Sequence, residues 1–264
     1  MGEASRSIAF DQAADYYDAT RGLQPAAQEA IVAQLTGALA GRGRCLEVGV
    51  GTGRIALDLH RRGVAMAGVD LSVPMLRKLV EKAGGSPPFP LAVADATRLP
   101  VADRSVGAAI VCHVLHLIDP WQRAVEELVR VVRPGGLILI ESANRDGNPV
   151  SEVHRRFWSA TSRGRREVPG LTDTTAVDPV LGELGFSVRL LPPVVERVEV
   201  SLSTAIDGLE EGILAGCWGL SEEERRTAAA STREWARERY GSLDAPHAAG
   251  QTITWRAYEA PGGA

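Results

Sequence analysis

The chain has 264 residues, 45% of them hydrophobic and 23% charged, with a formal net charge of −4 and a pI of about 5.8. That length suits one large α/β domain or a domain with a small cap, and the composition is that of a globular protein. The acidic balance offers phosphate backbones and anionic lipid no general attraction, and no apolar run reaches membrane-span length, so neither nucleic acid nor a membrane is an expected partner.

The N-terminus, with Glu3 and Asp11, shows no signal-peptide core, and Cys45, Cys112 and Cys217 are scattered without metal spacing. Both observations point to a reducing cytoplasm, without a metal site or a disulfide framework. There is no internal repeat, and the oligomeric state is not legible.

Residues 8–40 read as helical: Phe10, Ala13, Ala14, Tyr17 and Ala19 come first, and after Pro25 the residues Ile31, Val32, Leu35 and Leu39 recur at helical spacing. Arg44 to Val48 then forms a short apolar strand that runs into Gly49-Val50-Gly51-Thr52-Gly53-Arg54. A helix pattern (Ile55, Ala56, Leu57, Leu59) starts at once. In an open α/β sheet such a turn lies at the carboxyl end of a strand, where ligands bind, and its glycines admit a ligand close to the backbone. The dinucleotide fingerprint G-x-G-x-x-G does not fit, because position 54 is Arg and the third glycine arrives one residue early. Glu47 offers nothing to a pyrophosphate, whereas a ligand with an amino group or a sulfonium gains from it. The pattern E-x-G-x-G-x-G over Glu47, Gly49, Gly51 and Gly53 resembles motif I of the class I S-adenosylmethionine-dependent methyltransferases, in particular the small-molecule, type 11-like family.

Val64 to Val69 reads as the second strand, ending in Asp70-Leu71-Ser72. Asp70 falls about twenty residues past the first glycine, where a βαβ unit sets a carboxylate against ribose hydroxyls; the bland alternative is a turn residue. Ser72 caps the next helix, Pro74 fits its first turn, and Leu71 and Met75 are placed to pack on a purine face. Leu91 to Ala96 is a third short strand with Asp95 at its tip. The resemblance implies that Asp95 takes the adenine amino group while the backbone N–H of Ala96 meets a ring nitrogen. Three acidic residues at three successive strand ends, Glu47, Asp70 and Asp95, decide the expected cofactor: S-adenosyl-L-methionine, with S-adenosyl-L-homocysteine as product.

The resemblance extends to Tyr16-Tyr17-Asp18-Ala19-Thr20-Arg21, an aromatic-Asp-x-x-Arg element in which Tyr17 and Arg21 are implied to contact the methionine end of the ligand. A packing Tyr and an exposed Arg on an N-terminal helix is the alternative. Val106 to Cys112 is the fourth strand, and the residue after it, His113, faces cofactor and substrate in doubly wound sheets. Contact with the cofactor, orientation of the acceptor, removal of its proton as the catalytic base, and no proton role at all are the open readings of His113. Asp119-Pro120-Trp121-Gln122 reads as a helix start with Asp119 as N-cap, and Arg133-Pro134-Gly135-Gly136 as the stop before a fifth strand over 137–140. The resemblance covers residues 8–145. Beyond Asn144, Arg155, Arg156, Arg163, Arg165 and Arg166 read as the solvated side of a helix. Ser221 opens a polar helix to about Tyr240, and Thr252 to Tyr258 alternates as a strand.

The expected fold is a doubly wound, Rossmann-like, seven-stranded sheet whose last strand is antiparallel and inserted between the fifth and sixth. One methyltransferase domain over 1–264 is expected, with an N-terminal helical cap (1–40), a cofactor-binding half (41–145) and a helical insertion (200–248) as a substrate lid. Phe157, Trp158 and Trp218 are guesses for the acceptor pocket. The expected activity is in-line methyl transfer to an O, N or C nucleophile of a small molecule. A protein that binds the cofactor without transferring methyl (a sensor or a non-methylating cyclase) is the alternative, and an NAD(P)-dependent oxidoreductase a further one. Acceptor identity is not legible.

Overall fold

The computed structural model describes residues 7–144, 147–162 and 169–263. In chain order it holds α1 (Tyr17–Arg21), α2 (Pro25–Leu39), β1 (Cys45–Val48), α3 (Ala56–Arg61), β2 (Met66–Asp70), α4 (Val73–Lys82), β3 (Leu91–Val93) and β4 (Val106–Val111). Then come α5 (Trp121–Val131), β5 (Val132–Asn144), α6 (Pro149–Ser159), α7 (Val177–Glu183), β6 (Ser187–Leu190), β7 (Val194–Glu196) and β8 (Glu199–Ser201). The remainder is α8 (Leu202–Glu210), α9 (Glu222–Tyr240), β9 (Pro246–Ala248) and β10 (Gln251–Glu259).

The main sheet has the order β3-β2-β1-β4-β5-β10-β6, with β7 added beside β10. β1 pairs in parallel with β2 and β4, and β4 with β5; β10 runs antiparallel to β6, Arg256 opposite Leu190. The strand inserted late in the chain thus takes the place expected of it. β1 and β4 are buried along their whole length, as strands covered on both faces must be. Leu46, Val48, Ala109, Val111, Ile138 and Ile140 pack in one cluster with Ala124, Val125 and Leu128 of α5 and Val177 and Leu181 of α7. Side chains alternate along a strand, so Cys45, Glu47, Cys112 and Glu141 point to the opposite face.

Two local expectations are corrected. α5 begins at Trp121 behind an extended Pro120, without a side-chain cap, so Asp119 does not cap it. Arg133 to Gly136 belongs to β5, which already pairs at Val106↔Val132; the register shifts between Val106 and Ala108 and resumes at Leu137. By contrast, Ser72 accepts from the Met75 N–H as N-cap of α4, and Ser221 and Glu224 form a reciprocal capping box on α9.

The chain divides into two compact units: Met1–Ser142, Pro169–Val194 and Thr254–Ala264 form the first, and Ala143–Val168 with Val195–Ile253 the second. The second unit has its own core, in which Val153, Phe157, Leu202, Ile206, Leu209, Cys217, Ala228, Ala229 and Ala236 come from α6, α8, α9 and the 215–219 turn. It also holds a two-stranded antiparallel sheet, Glu199 opposite Ala248. The expected 200–248 insertion lies inside this unit, which also takes in α6. Phe157 (0% exposed) and Trp158 (9%) are core residues there, their ring centroids 5.2 Å apart. Arg155 is exposed and Arg156 donates to Ser231 Oγ; Arg163, Arg165 and Arg166 lie outside the described residues.

Candidate functional site

Every residue expected to bind the cofactor, and His113, lies in the first unit. The turn after β1 is held by main-chain bonds, Gly49 and Val50 N–H donating to the Val69 carbonyl at 2.9 and 3.0 Å and Gly53 N–H to Val50 at 2.9 Å. Gly49 is left-handed (φ 73°), and a Cβ there would meet Val114 Cγ2 at 2.7 Å, so position 49 has no room for a side chain. Gly51 (φ 54°) has Met75 Cε as the nearest neighbour of its would-be Cβ, at 3.2 Å.

Asp70, at the end of β2, shapes the same turn. Its Oδ2 accepts from Gly51 N–H and its Oδ1 from Ser72 N–H, both at 2.8 Å. Burial pushes its pKa up, opposed by those N–H groups and that of Leu71. The carboxylate keeps acceptor capacity for a ligand hydroxyl. Asp95 lies two residues past β3, whose Val93 pairs with Asp70. Its Oδ1 accepts from Thr97 N–H at 2.9 Å and Thr97 Oγ1 at 2.8 Å, with half-buried Ala96 between them. Leu71 (37% exposed), Val73 and Val93 leave apolar surface beside these strand ends, while Met75 is buried.

Glu47, on the opposite face from α5, is 3% exposed. Burial drives its pKa up to about 8, although Arg54 and the Ala56 N–H pull it down. Its Oε2 is buried and, among the described residues, has no hydrogen-bond partner. Such an atom calls for a donor.

Arg54 was read from the sequence only as a departure from a glycine motif; the structure makes it a centre. Its Nη2 donates to Cys112 Sγ at 3.2 Å. Burial works against its charge, but Cys112, Tyr17, Glu141 and Glu47 outweigh burial together and hold its proton more tightly than usual. Tyr17, pushed up to about 12 mainly by burial, lies beside this guanidinium, with Arg21 also acting on it. Phe10 packs edge-on against the Tyr17 ring at 6.1 Å. The short α1 that carries Tyr17 and Arg21 is tied to the turn by Asp18, which accepts from Thr52 Oγ1 at 2.6 Å and Lys82 Nζ at 2.8 Å. Asp18 had no reading of its own in the sequence; its adjacency to Tyr17 was the signal.

His113 follows β4 with φ 53°, left-handed, a conformation that costs a non-glycine residue about 1–3 kcal/mol and is kept only where surroundings impose it. Its N–H donates to Glu141 Oε2 at 3.2 Å, and its Nε2 lies 3.3 Å from Glu141 Oε1. Glu141 is 6% exposed and also takes the Cys112 thiol at 3.5 Å.

A family model described as "Methyltransferase domain" matches residues 46–140, from β1 to β5. A ubiquinone/menaquinone biosynthesis C-methyltransferase, UbiE, of Syntrophotalea carbinolica is 33% identical over 60% of this chain and 69% of its own length. The chain belongs to the class I S-adenosylmethionine-dependent methyltransferases. A phosphatidylethanolamine N-methyltransferase of Cereibacter sphaeroides is 35% identical over 43% of this chain, and the match spans 57% of that relative. The YcgJ protein of Bacillus subtilis shares the fold, with a TM-score of 0.60 at 16% identity, covering 89% of this chain and 100% of that one. The family's cofactor carries an ammonium, a sulfonium, a vicinal diol and a purine. The residues present fit it: a buried carboxylate oxygen without a partner, a half-satisfied aspartate and exposed apolar side chains stand at neighbouring strand ends. Among the described residues no helix is long and apolar enough to cross a membrane.

Proposed function

We propose that the chain binds S-adenosyl-L-methionine in the first unit and transfers its methyl group to a small-molecule acceptor, releasing S-adenosyl-L-homocysteine. The observation that carries this reading is the row of carboxylates at the ends of β1, β2 and β3, with one buried Glu47 oxygen lacking a donor. In this reading the backbone of Gly49, Gly51 and Gly53 lies along the methionine part. Asp70 takes the ribose hydroxyls and Asp95 the adenine amino group, with Ala96 N–H on the ring and Leu71 and Met75 against the purine. Tyr17 and Arg21 hold the methionine end, the planar guanidinium suiting its carboxylate. The bound cofactor supplies an activated methyl group on a sulfonium. The chain's residues hold the acceptor in line with it and exclude water, which accounts for most of the rate. His113 faces the acceptor and takes its proton. Relatives named for quinone and phosphatidylethanolamine methylation support a small acceptor.

The test is transfer of labelled methyl from S-adenosylmethionine to a set of quinols, phenols and ethanolamine derivatives. Label in a discrete small product is the expected result. Cofactor binding with no transfer to any of them would overturn the methyl-transfer reading in favour of a binding protein.

A further inference from the structure

Glu47, Cys112 and Glu141 project from three adjacent strands on one face of the sheet, and Arg54 reaches into the group. The proposed cofactor accounts for Glu47. It leaves Glu141 unexplained: a buried carboxylate on β5 that grips one residue twice, at the backbone and at the ring. That residue is His113, held in the left-handed region, where a non-glycine residue is uncommon. The Arg54 guanidinium acts on both Glu141 and Glu47. Cys112, itself pushed up by burial and by Glu141, and Tyr17 also interact with Glu141.

We infer that Glu141 is the positioning residue for His113, holding its proton on Nε2 so that Nδ1 is the nitrogen that accepts a proton from the acceptor. The inference deepens the methyl-transfer reading and rests on it for the identity of the proton donor. In the step, the acceptor's X–H bond breaks and its proton goes to Nδ1. The X–C bond forms as the C–S bond breaks, its electron pair staying on sulfur. Glu141 stabilises the imidazolium that results, and the acceptors served are those whose attacking atom must shed a proton. This is the same division of labour as in other carboxylate-oriented histidines.

The test uses the full chain labelled with ¹⁵N-histidine, two-bond ¹H–¹⁵N spectra recorded from about pH 5 to 9, and assignment through His113→Gln. Wild-type His113 is expected as the Nε2–H tautomer once deprotonated. Glu141→Gln is expected to lower its titration midpoint by about one pH unit or more, and Glu141→Asp, which keeps the charge, to restore part of that. An Nδ1–H tautomer in the wild type, or an unchanged midpoint in Glu141→Gln, would overturn the inference. Should Glu141→Gln fail to fold, the wild-type tautomer decides alone. Failure of the wild type to bind S-adenosylhomocysteine sinks the methyl-transfer reading without moving this tautomer, so the two failures are separable.

Discussion

Glu47 is an ordinary carboxyl made costly by its place: burial at the end of β1 lifts its pKa from 4.5 to about 8. A group whose folded pKa is raised contributes stability that is fully present below its unfolded value and lost as pH rises through the folded one. Glu47→Gln keeps the shape and removes the titration. It is expected to equal the wild type near pH 4.5 and to exceed it by on the order of 1 kcal/mol or more at pH 8.5, read by urea denaturation. An unchanged pH dependence would contradict the burial argument. At this scale the sequence was legible where function sits at a strand tip, as with Glu47, Asp70 and Asp95. It was not legible for Arg54, Asp18 and Glu141, whose partners arrive from other elements, Glu141 meeting His113 across 28 positions. Parity along the strands would have found one of these. Counting by twos from Leu137 and Leu139 puts Glu141 on the same face as Glu47.

The elements were legible as apolar runs; their ends were legible where a side chain caps them, as at Ser72 and Ser221, and not elsewhere. Nothing local distinguishes Arg133 to Gly136 as a turn from the same residues carried into β5; the tie of Gly135 N–H to the Pro261 carbonyl and of Ala260 N–H to Gly136 comes from the far end of the chain. Gly107 sits where a Cβ would come within 1.4 Å of the Arg42 carbonyl oxygen, so the strand passes the neighbouring backbone only as glycine. Gly107→Ala is expected to cost about 3 kcal/mol, the upper end for overpacking, because backbone cannot yield as a side chain can. Gly63, left-handed with nothing within 4 Å, serves as the control; Gly63→Ala carries only the backbone penalty, about 1–2 kcal/mol. Gly107 is not left-handed, so a loss there no larger than at Gly63 would contradict the close approach to Arg42.

For the whole molecule, sheet order followed from strand count and family resemblance, and the partition into units did not. β5 and β10 each run across a unit boundary, at 142–143 and 253–254, and an uninterrupted strand gives no composition shift to read. The matched segment 46–140 and all proposed cofactor contacts fall in the first unit. Calorimetric titration of the full chain with S-adenosylhomocysteine therefore tests the central claim most directly, with NADH as the control ligand. Saturable one-site binding is predicted, with no heat from NADH. Asp70→Ala should weaken it by about 1–3 kcal/mol, roughly five- to 150-fold. No saturable binding to the wild type, or undiminished affinity in a folded Asp70→Ala, would contradict the account.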